Sequence, residues 1–394
     1  MQVWLFVFLA ATAVQLLPLP PLLLDTISPS TRPAVAQLAL VMPAWLPISL
    51  SVPATRQTLL VNIGLVIVFM AALRIFSAGG VRMFARGLAM MGLLLSLIAL
   101  AQDATARGHM YWRWKPLESG SPPFGPFVNR NHFATWVVLA VPLAAGYLAA
   151  HLSAHDVRHS PLVSLRRRIV TFLDGRAILL TASAALMVVA LVATLSRSGL
   201  LGMGVAALTG LLFRVRRQAG NRGPALAWIA AAAVGAVLLV LAAMPPRVIV
   251  DRLSRTQVSA ADRLTIWRDT LPVIRDFWLT GTGAGTYETS MLVFQRASPG
   301  VRFNQAHDHY LQAAAEGGVL LCAPLAIALA LFVRQAWTRA GGDSSGMYWI
   351  RAGALAGLAG AAAQSVWETG LITPANAALA SVLCAIAIHE PRRH

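Results

Sequence analysis

Charged side chains are scarce in this chain. They make up 12% of its 394 residues, about half of the ~25% usual in a soluble domain, and the mean hydropathy is +0.66. That shortage excludes the two or three soluble domains that the length alone would suggest at ~150 residues each. Acids are scarcer than bases, 15 against 32, and lysine is almost missing: Lys115 stands against 31 arginines. A nucleic-acid binder would gather such cations on one face or stripe. Here they fall between apolar runs, so the net charge of +17 is a topology signal and nucleic acid is excluded as a partner. Cysteine is limited to Cys322 and Cys384, both inside apolar runs, which excludes a disulfide framework or a thiolate metal site. A positive n-region is missing from the opening MQVWLFVFLAATAVQLLPL, which therefore reads as a retained first helix and not as a cleaved leader.

What the chain does have is a series of apolar runs close to the ~20 residues that cross a bilayer. Their order predicts an all-α, polytopic membrane protein, a single transmembrane domain over 1–394, with ten spans near 2–19, 57–76, 87–102, 132–151, 177–195, 199–213, 224–243, 310–333, 350–366 and 375–388. The loops between them fall into two alternating sets. Residues 74–86, 152–176, 214–223, 334–351 and 389–394 hold seventeen arginines against four acids, Asp156, Asp174, Asp343 and Glu390. The opposite set holds fifteen basic residues, eight of them in one long loop where the charge rule has little force, but eleven acids when Glu316 of the eighth span is included. By the positive-inside rule the first set and both termini are cytoplasmic. The outer face then carries 20–56, 103–131, 196–198, a large periplasmic loop at 244–309 and the short loop 367–374, and chemistry is expected there.

Within LVATLSRSGLLGMG, residues 191–204, Arg197 is the single formal charge of an apolar stretch that runs from Ala177 to Phe213. One helix of that length would measure about 55 Å at 1.5 Å per residue, well beyond the ~30 Å hydrocarbon core. The stretch must fold back, with Ser196-Arg197-Ser198-Gly199 at the outer turn, the serines capping helix ends and Arg197 at headgroup depth, where it can meet a phosphate.

Further along, VSAADRLTIWRDTLPVIRDFWLTGTGAGTY (258–287) begins with a Ser259 to Asp262 capping box and repeats Leu264, Trp267, Leu271, Ile274 and Trp278 at helical spacing. This predicts an amphipathic helix, kinked at Pro272, along the membrane surface. Its polar side, with Arg263, Arg268 and Arg275 beside Asp262, Asp269 and Asp276, is either an ion-paired solvated face or an anion site. The glycines of Gly281-Thr282-Gly283-Ala284-Gly285 meet no nucleotide motif, lacking both a following Lys-Ser/Thr and a preceding strand, and read as a turn. In FNQAHDHYLQAAAEGGVLL (303–321), Asp308, Gln312 and Glu316 form a stripe at i, i+4, i+8. Glu316 falls within the bilayer, as a functional group or as a satisfied structural one. His307 stands at the outer surface, and an imidazole suits proton abstraction from a hydroxyl. At the mouth of the fourth span, GPFVNRNHFATW (125–136) presents Asn129, Arg130, Asn131 and His132. Tyr111, Trp112 and Trp114 just upstream read as an interfacial aromatic belt or a sugar-stacking surface. His155 and His159 lie in a basic loop with only Asp156 nearby, and no metal is expected there.

FVNRNHFATW, TLSRSGLLGMG, RLTIWRDTLPVIRDFWLTGTGAGTY and HDHYLQAAAEGG, in that order, resemble the O-antigen ligase and exopolysaccharide polymerase family of bacterial membrane glycosyltransferases. QLLPLPPLLLDTISP and AWLPISLSVPATRQTLL look like that family's N-terminal outer loop. The resemblance implies a GT-C-like fold of about 10–12 transmembrane helices with amphipathic helices in the long outer loop. It implies an enzyme of the bacterial inner membrane that moves a glycan from an undecaprenyl-pyrophosphate carrier to a hydroxyl of a glycan or lipid A-core acceptor at the periplasmic face, without metal or cofactor. Carried over by motif, Arg197 and Arg263 engage the pyrophosphate and His307 is the base. Asn129, Arg130, His132, Arg268 and Glu316 join them as substrate-binding candidates. Two positions depart from the family pattern: Asp308, where Asn, Ser or Gln is usual, and Leu321, where Gly, Thr or Tyr is. Guanidinium groups offer planar paired donors to phosphate oxygens and as fixed cations can stand in for a divalent metal. A flippase for a lipid-linked glycan, binding phosphate without chemistry, is the alternative expectation.

Overall fold

The computed structural model describes residues 1–394 except 107, 117–120, 156–173, 219–262, 298–300 and 391–394. The expected seventh span at 224–243, the Ser259 to Asp262 capping box, His159 and the carboxy-terminal arginines Arg392 and Arg393 lie outside the described residues. Among those described, the chain is helical, with three isolated bridges and no strand. In order the helices are α1 (Gln2–Val14), α2 (Pro21–Ile27), α3 (Thr31–Leu38), α4 (Val52–Ser77), α5 (Val81–Thr105), α6 (Arg130–His155), α7 (Gly175–Ala193) and α8 (Arg197–Gln218). Next come α9 (263–276), α10 (Tyr287–Phe294), α11 (His309–Gly342), α12 (Met347–Gln364) and α13 (Pro374–Ile388). Helices α4, α5, α6, α7, α8 and α11 are long and apolar enough to cross a membrane, and α1 and α13 are shorter apolar helices. The chain is a multi-pass all-α membrane protein.

It forms two compact units. The first takes Met1–Ile67, Pro246–Arg334 and Ser365–Thr369; the second takes Val68–Pro245, Gln335–Gln364 and Gly370–His394.

In the second unit α6 is the buried axis, its residues Val137 to Ala140 having no exposed surface. Helix α12 reaches it through small residues. A Cβ placed on Gly353 would lie 2.3 Å from the Pro142 carbonyl oxygen, and one on Gly360 would lie 2.5 Å from that of Gly202 on α8. Close approach of backbones through small residues is how helices pack where lipid removes the hydrophobic driving force. Gly353→Val is therefore expected to lower the thermal unfolding midpoint in detergent, the overpacking costing about 1–3 kcal/mol. Gly64→Ala, where a Cβ meets nothing within 4 Å, should leave the midpoint unchanged or slightly raised. Equal midpoints for the two variants would refute the packing.

The fold-back expected around Arg197 is present. Helix α7 ends at Ala193 and α8 begins at Arg197. Leu195 takes a left-handed φ of 53° between them. Ser196 Oγ accepts the Gly199 N–H at 3.3 Å and its carbonyl accepts that of Leu200 at 3.0 Å, so a serine does cap the second helix.

In the first unit the core is Ile266 and Val273 of α9 and Phe277 just after it, against Tyr287 and Met291 of α10, with Phe303, Ala306 and Ala315. This differs from the expected two-sided α9. Ile266, Thr270, Val273 and Phe277 face the core, while Leu264, Leu271 and Trp278 form an exposed stripe beside exposed Arg268 and Arg275. The helix runs through Pro272. Asp269, expected on the polar side, is buried and accepts the Arg296 and Ala297 N–H groups at 2.9 and 3.0 Å. Two apolar stripes compete on this helix, and packing against α10 and residues 303–315 selects which one is covered.

Candidate active site

The loop 303–308 carries His307 and is pinned from three sides. From α9, the Trp267 indole N–H donates to the Ala306 carbonyl at 3.0 Å. From α11, Gln312 Oε1 accepts the Ala306 N–H at 3.2 Å, and Asp308 Oδ1 caps the helix by accepting the Tyr310 and Leu311 N–H groups at 2.8 and 3.0 Å. From the short segment Ser365–Thr369, the Ser365 carbonyl accepts the His309 N–H at 2.9 Å, and Thr369 Oγ1 donates to Gln305 Oε1. So held, His307 adopts φ 52°, a left-handed backbone that an L-residue enters at a cost of roughly 1–2 kcal/mol. Such strain persists only where the surroundings over-determine it.

The pinning sets the ring. His307 Nδ1 is buried and makes no hydrogen bond; it faces Oε1 of Glu368 at 3.8 Å. The His307 side chain is 36% exposed and that of Glu368 only 1%, so the exposure belongs to the rest of the imidazole. Arg263 lies four residues before Trp267, one helical turn or ~6 Å along α9, on the side of that helix that holds the His307 loop. Arg268 lies on the exposed face.

Glu316 sits where α11 breaks. Gly318 has φ 53° and ψ −161°, a conformation open to glycine, and the loop 279–285 fills the break. The Thr282 N–H donates to the Ala315 carbonyl and that of Gly283 to the Glu316 carbonyl, both at 3.0 Å, while the Val319 and Leu320 N–H groups donate back to Trp278 and Leu279 at 2.8 and 2.9 Å. Gln15 Nε2 donates to Thr280 and Glu316 carbonyls at 2.9 and 3.1 Å. The Gly281 to Gly285 segment is thus a turn, as expected, and its task is to satisfy a broken membrane helix. Gly281 has φ 66°, and a Cβ there would fall 2.2 Å from the Glu316 carbonyl oxygen. The Glu316 carboxylate accepts N–H donors from Gly285 at 2.7 Å, Gln312 at 3.0 Å and Tyr287 at 3.2 Å. The stripe read as Asp308, Gln312 and Glu316 is a hydrogen-bonded column that ties the His307 loop to the helix break. Beside it Tyr287 is buried against Thr270, their hydroxyls 2.7 Å apart. Burial pushes the phenol well above its ordinary value, so it stays neutral.

The remaining candidates belong to the second unit. Arg197 is exposed at the start of α8. Asn129 caps α6, its Oδ1 accepting the Asn131 N–H at 2.8 Å; Arg130 is the first residue of α6. His132 Nδ1 lies 2.8 Å from Thr373 Oγ1, and the His132 carbonyl accepts Asn376 Nδ2 at 2.9 Å, joining the first turns of α6 and α13. Below this polar join an open cavity of about 970 Å³ runs between α5, α6 and α13, lined by Leu88, Met91, Leu95, Phe127, Trp136 and Leu379. Tyr111, Trp112 and Trp114 are each about half exposed, with Tyr111 and Trp112 at φ 50° and 60°.

Sequence reasoning missed Glu368 and the pinning role of Trp267. Glu368 carries one legible signal: it is the single acid of the outer loop 367–374. Trp267 was visible as an apolar stripe residue, but its N–H partner is 39 residues away and no local pattern announces it.

Residues 182–326 match the family described as O-Antigen ligase. No curated protein and no solved structure matches the chain. The matched segment spans the helical turn at Arg197, the helix with Arg263, the pinned His307 loop and the break beside Glu316. Residues 182–326 are thus similar to the O-antigen ligase family, and that likeness supports a polysaccharide-related, glycosyltransferase-like function in general.

Proposed function

We propose that the chain transfers a glycan from an undecaprenyl-pyrophosphate carrier to an acceptor hydroxyl at the periplasmic face of a bacterial inner membrane, as an O-antigen ligase or a surface-polysaccharide polymerase. The whole of 1–394 acts as one membrane domain with both termini in the cytoplasm. The observation that carries the reading is the His307 ring, exposed on one edge with its Nδ1 turned toward the buried Glu368 carboxylate at 3.8 Å. A histidine held this way has one nitrogen for a substrate proton and a fixed anion to stabilise the imidazolium that results.

In the reaction the acceptor oxygen bonds to the anomeric carbon as the bond from that carbon to the carrier phosphate breaks. The hydroxyl proton passes to His307, and the electron pair leaves with undecaprenyl diphosphate. Arg197 and Arg263 hold the diphosphate and stabilise the charge that develops on it; these fixed cations take the place of a divalent metal. Arg268, on the exposed face of α9 with Leu264, Leu271 and Trp278, meets headgroups at the membrane surface. The apolar cavity between α5, α6 and α13 takes isoprene units of the carrier, with Asn129, Arg130 and His132 at its polar end. Glu316 shapes the site by holding the helix break.

The test is a reconstituted assay with purified protein in liposomes, labelled undecaprenyl-pyrophosphate glycan and an acceptor glycan. A new glycosidic product, formed at an unchanged rate in chelator, is the expected outcome. Movement of labelled carrier between leaflets without acceptor, and with no product when acceptor is added, would replace the transferase by a flippase.

A further inference from the structure

We propose that the second unit binds the headgroup of an anionic glycerophospholipid in a cavity at the helix ends opposite the 106–130 segment. The cavity measures about 760 Å³ and lies where α4 ends, α5 begins, α11 ends and α12 begins. Because α5 is long and apolar enough to cross a membrane, its first turn and the segment that follows its last turn face opposite leaflets. The cavity opens at the first turn, the end where Arg74, Arg217 and Arg339 lie in the last turns of α4, α8 and α11.

Its lining has two characters. Arg82, Arg339, Arg351, Asp343, Ser77 and Thr338 supply a polar floor, with the buried His389 beside them, while Phe76, Val81, Met83 and Met347 supply an apolar wall. The polar groups are not equivalent. Arg351 is buried and committed: its Nε meets Asp343 at 3.2 Å and its two terminal nitrogens donate to the Ala387 and His389 carbonyls, both at 2.9 Å. That closes the end of α13 and uses the one carboxylate of the cavity. His389 Nδ1 in turn meets the Ile386 carbonyl at 2.9 Å. Arg339 pairs with Glu390. Arg82 is exposed, and among the described residues no carboxylate lies within ion-pair distance of it. The cavity therefore carries uncompensated positive charge beside an apolar wall on which Met83 is 69% exposed.

That combination fits an amphipathic anion. A phosphodiester beside Arg82 and Arg339 would place its glycerol and first methylenes along Phe76, Met83 and Met347. Anionic lipids of the leaflet that faces basic loops are drawn to such pockets between helix ends. A free phosphate offers the same charge but leaves the apolar wall uncovered.

Native mass spectrometry of the full chain in mild detergent tests this, with an equimolar mixture of phosphatidylglycerol, phosphatidylethanolamine and phosphatidylcholine as probe. Retention of phosphatidylglycerol on the order of tenfold above the other two is expected. It should fall to their level in Arg82→Ala, stay intermediate in Arg82→Lys, and fall again in Ala78→Trp, which narrows the cavity without touching a charge. Equal retention of the three lipids overturns the proposal, as does retention unchanged in both Arg82→Ala and Ala78→Trp. Displacement of the lipid by millimolar inorganic phosphate would assign the cavity to a soluble anion and overturn the lipid claim. Glycan transfer is not the readout, so the outcome is independent of the transferase reading.

Discussion

His307→Ala lowers the rate of glycan transfer by ~10²–10⁴-fold while the protein still inserts and keeps its thermal midpoint. The size follows from the step removed, since without the imidazole the attacking hydroxyl must lose its proton to water. The backbone requires a second variant. His307 sits at φ 52°, where asparagine is tolerated better than alanine, so His307→Asn keeps the loop while removing the base. Both variants should be equally inactive, and an active asparagine variant would move the role of His307 from chemistry to loop shape. Glu368→Gln keeps the shape of the partner and removes its charge. The expected result is a fall in kcat of about tenfold or more with the KM for the donor unchanged, because the carboxylate acts only as the imidazolium forms. A raised donor KM with a lowered thermal midpoint would make Glu368 a structural strap and nothing more.

Arg197→Ala and Arg263→Ala each lower transfer by ~10²–10³-fold, the usual loss when one donor to a developing oxyanion is removed. Lysine at either position recovers only part of the rate, since a point charge lacks the planar paired donors of guanidinium. The double variant carries the sharper information. Two groups that act on one diphosphate are coupled, and their combined loss departs from the product of the single losses. A loss equal to that product would mean that the two arginines serve different substrates or different steps, and the scheme of a shared diphosphate would fail. Arg268→Ala is the internal comparison, with a donor KM effect expected and little change in kcat.

Most of the membrane architecture was legible from composition, because the length of an apolar run is a one-dimensional quantity. The fold-back at Arg197 followed from arithmetic alone: 37 apolar positions are too long for one crossing, and the serine cap is local chemistry. His307, Arg263 and the Asp308, Gln312 and Glu316 stripe were visible as residue types at helical spacing. What Glu316 does was not visible. Its three N–H donors come partly from Gly285 and Tyr287, some thirty positions away in sequence, and the helix break they serve depends on Gly318 adopting a backbone that sequence permits but does not require.

The amino-acid sequence by itself determined that this protein is helical, crosses a membrane many times and gathers arginine at some helix ends, since burial of apolar runs and solvation of charge act on each segment separately. Only the tertiary structure decided which stripe of α9 is covered, that the Glu368 carboxylate stands opposite the His307 ring, and that Trp267 holds the loop that carries His307. Those are choices among equally apolar or equally polar options, and they are settled by shape and by hydrogen bonds between residues far apart in the chain.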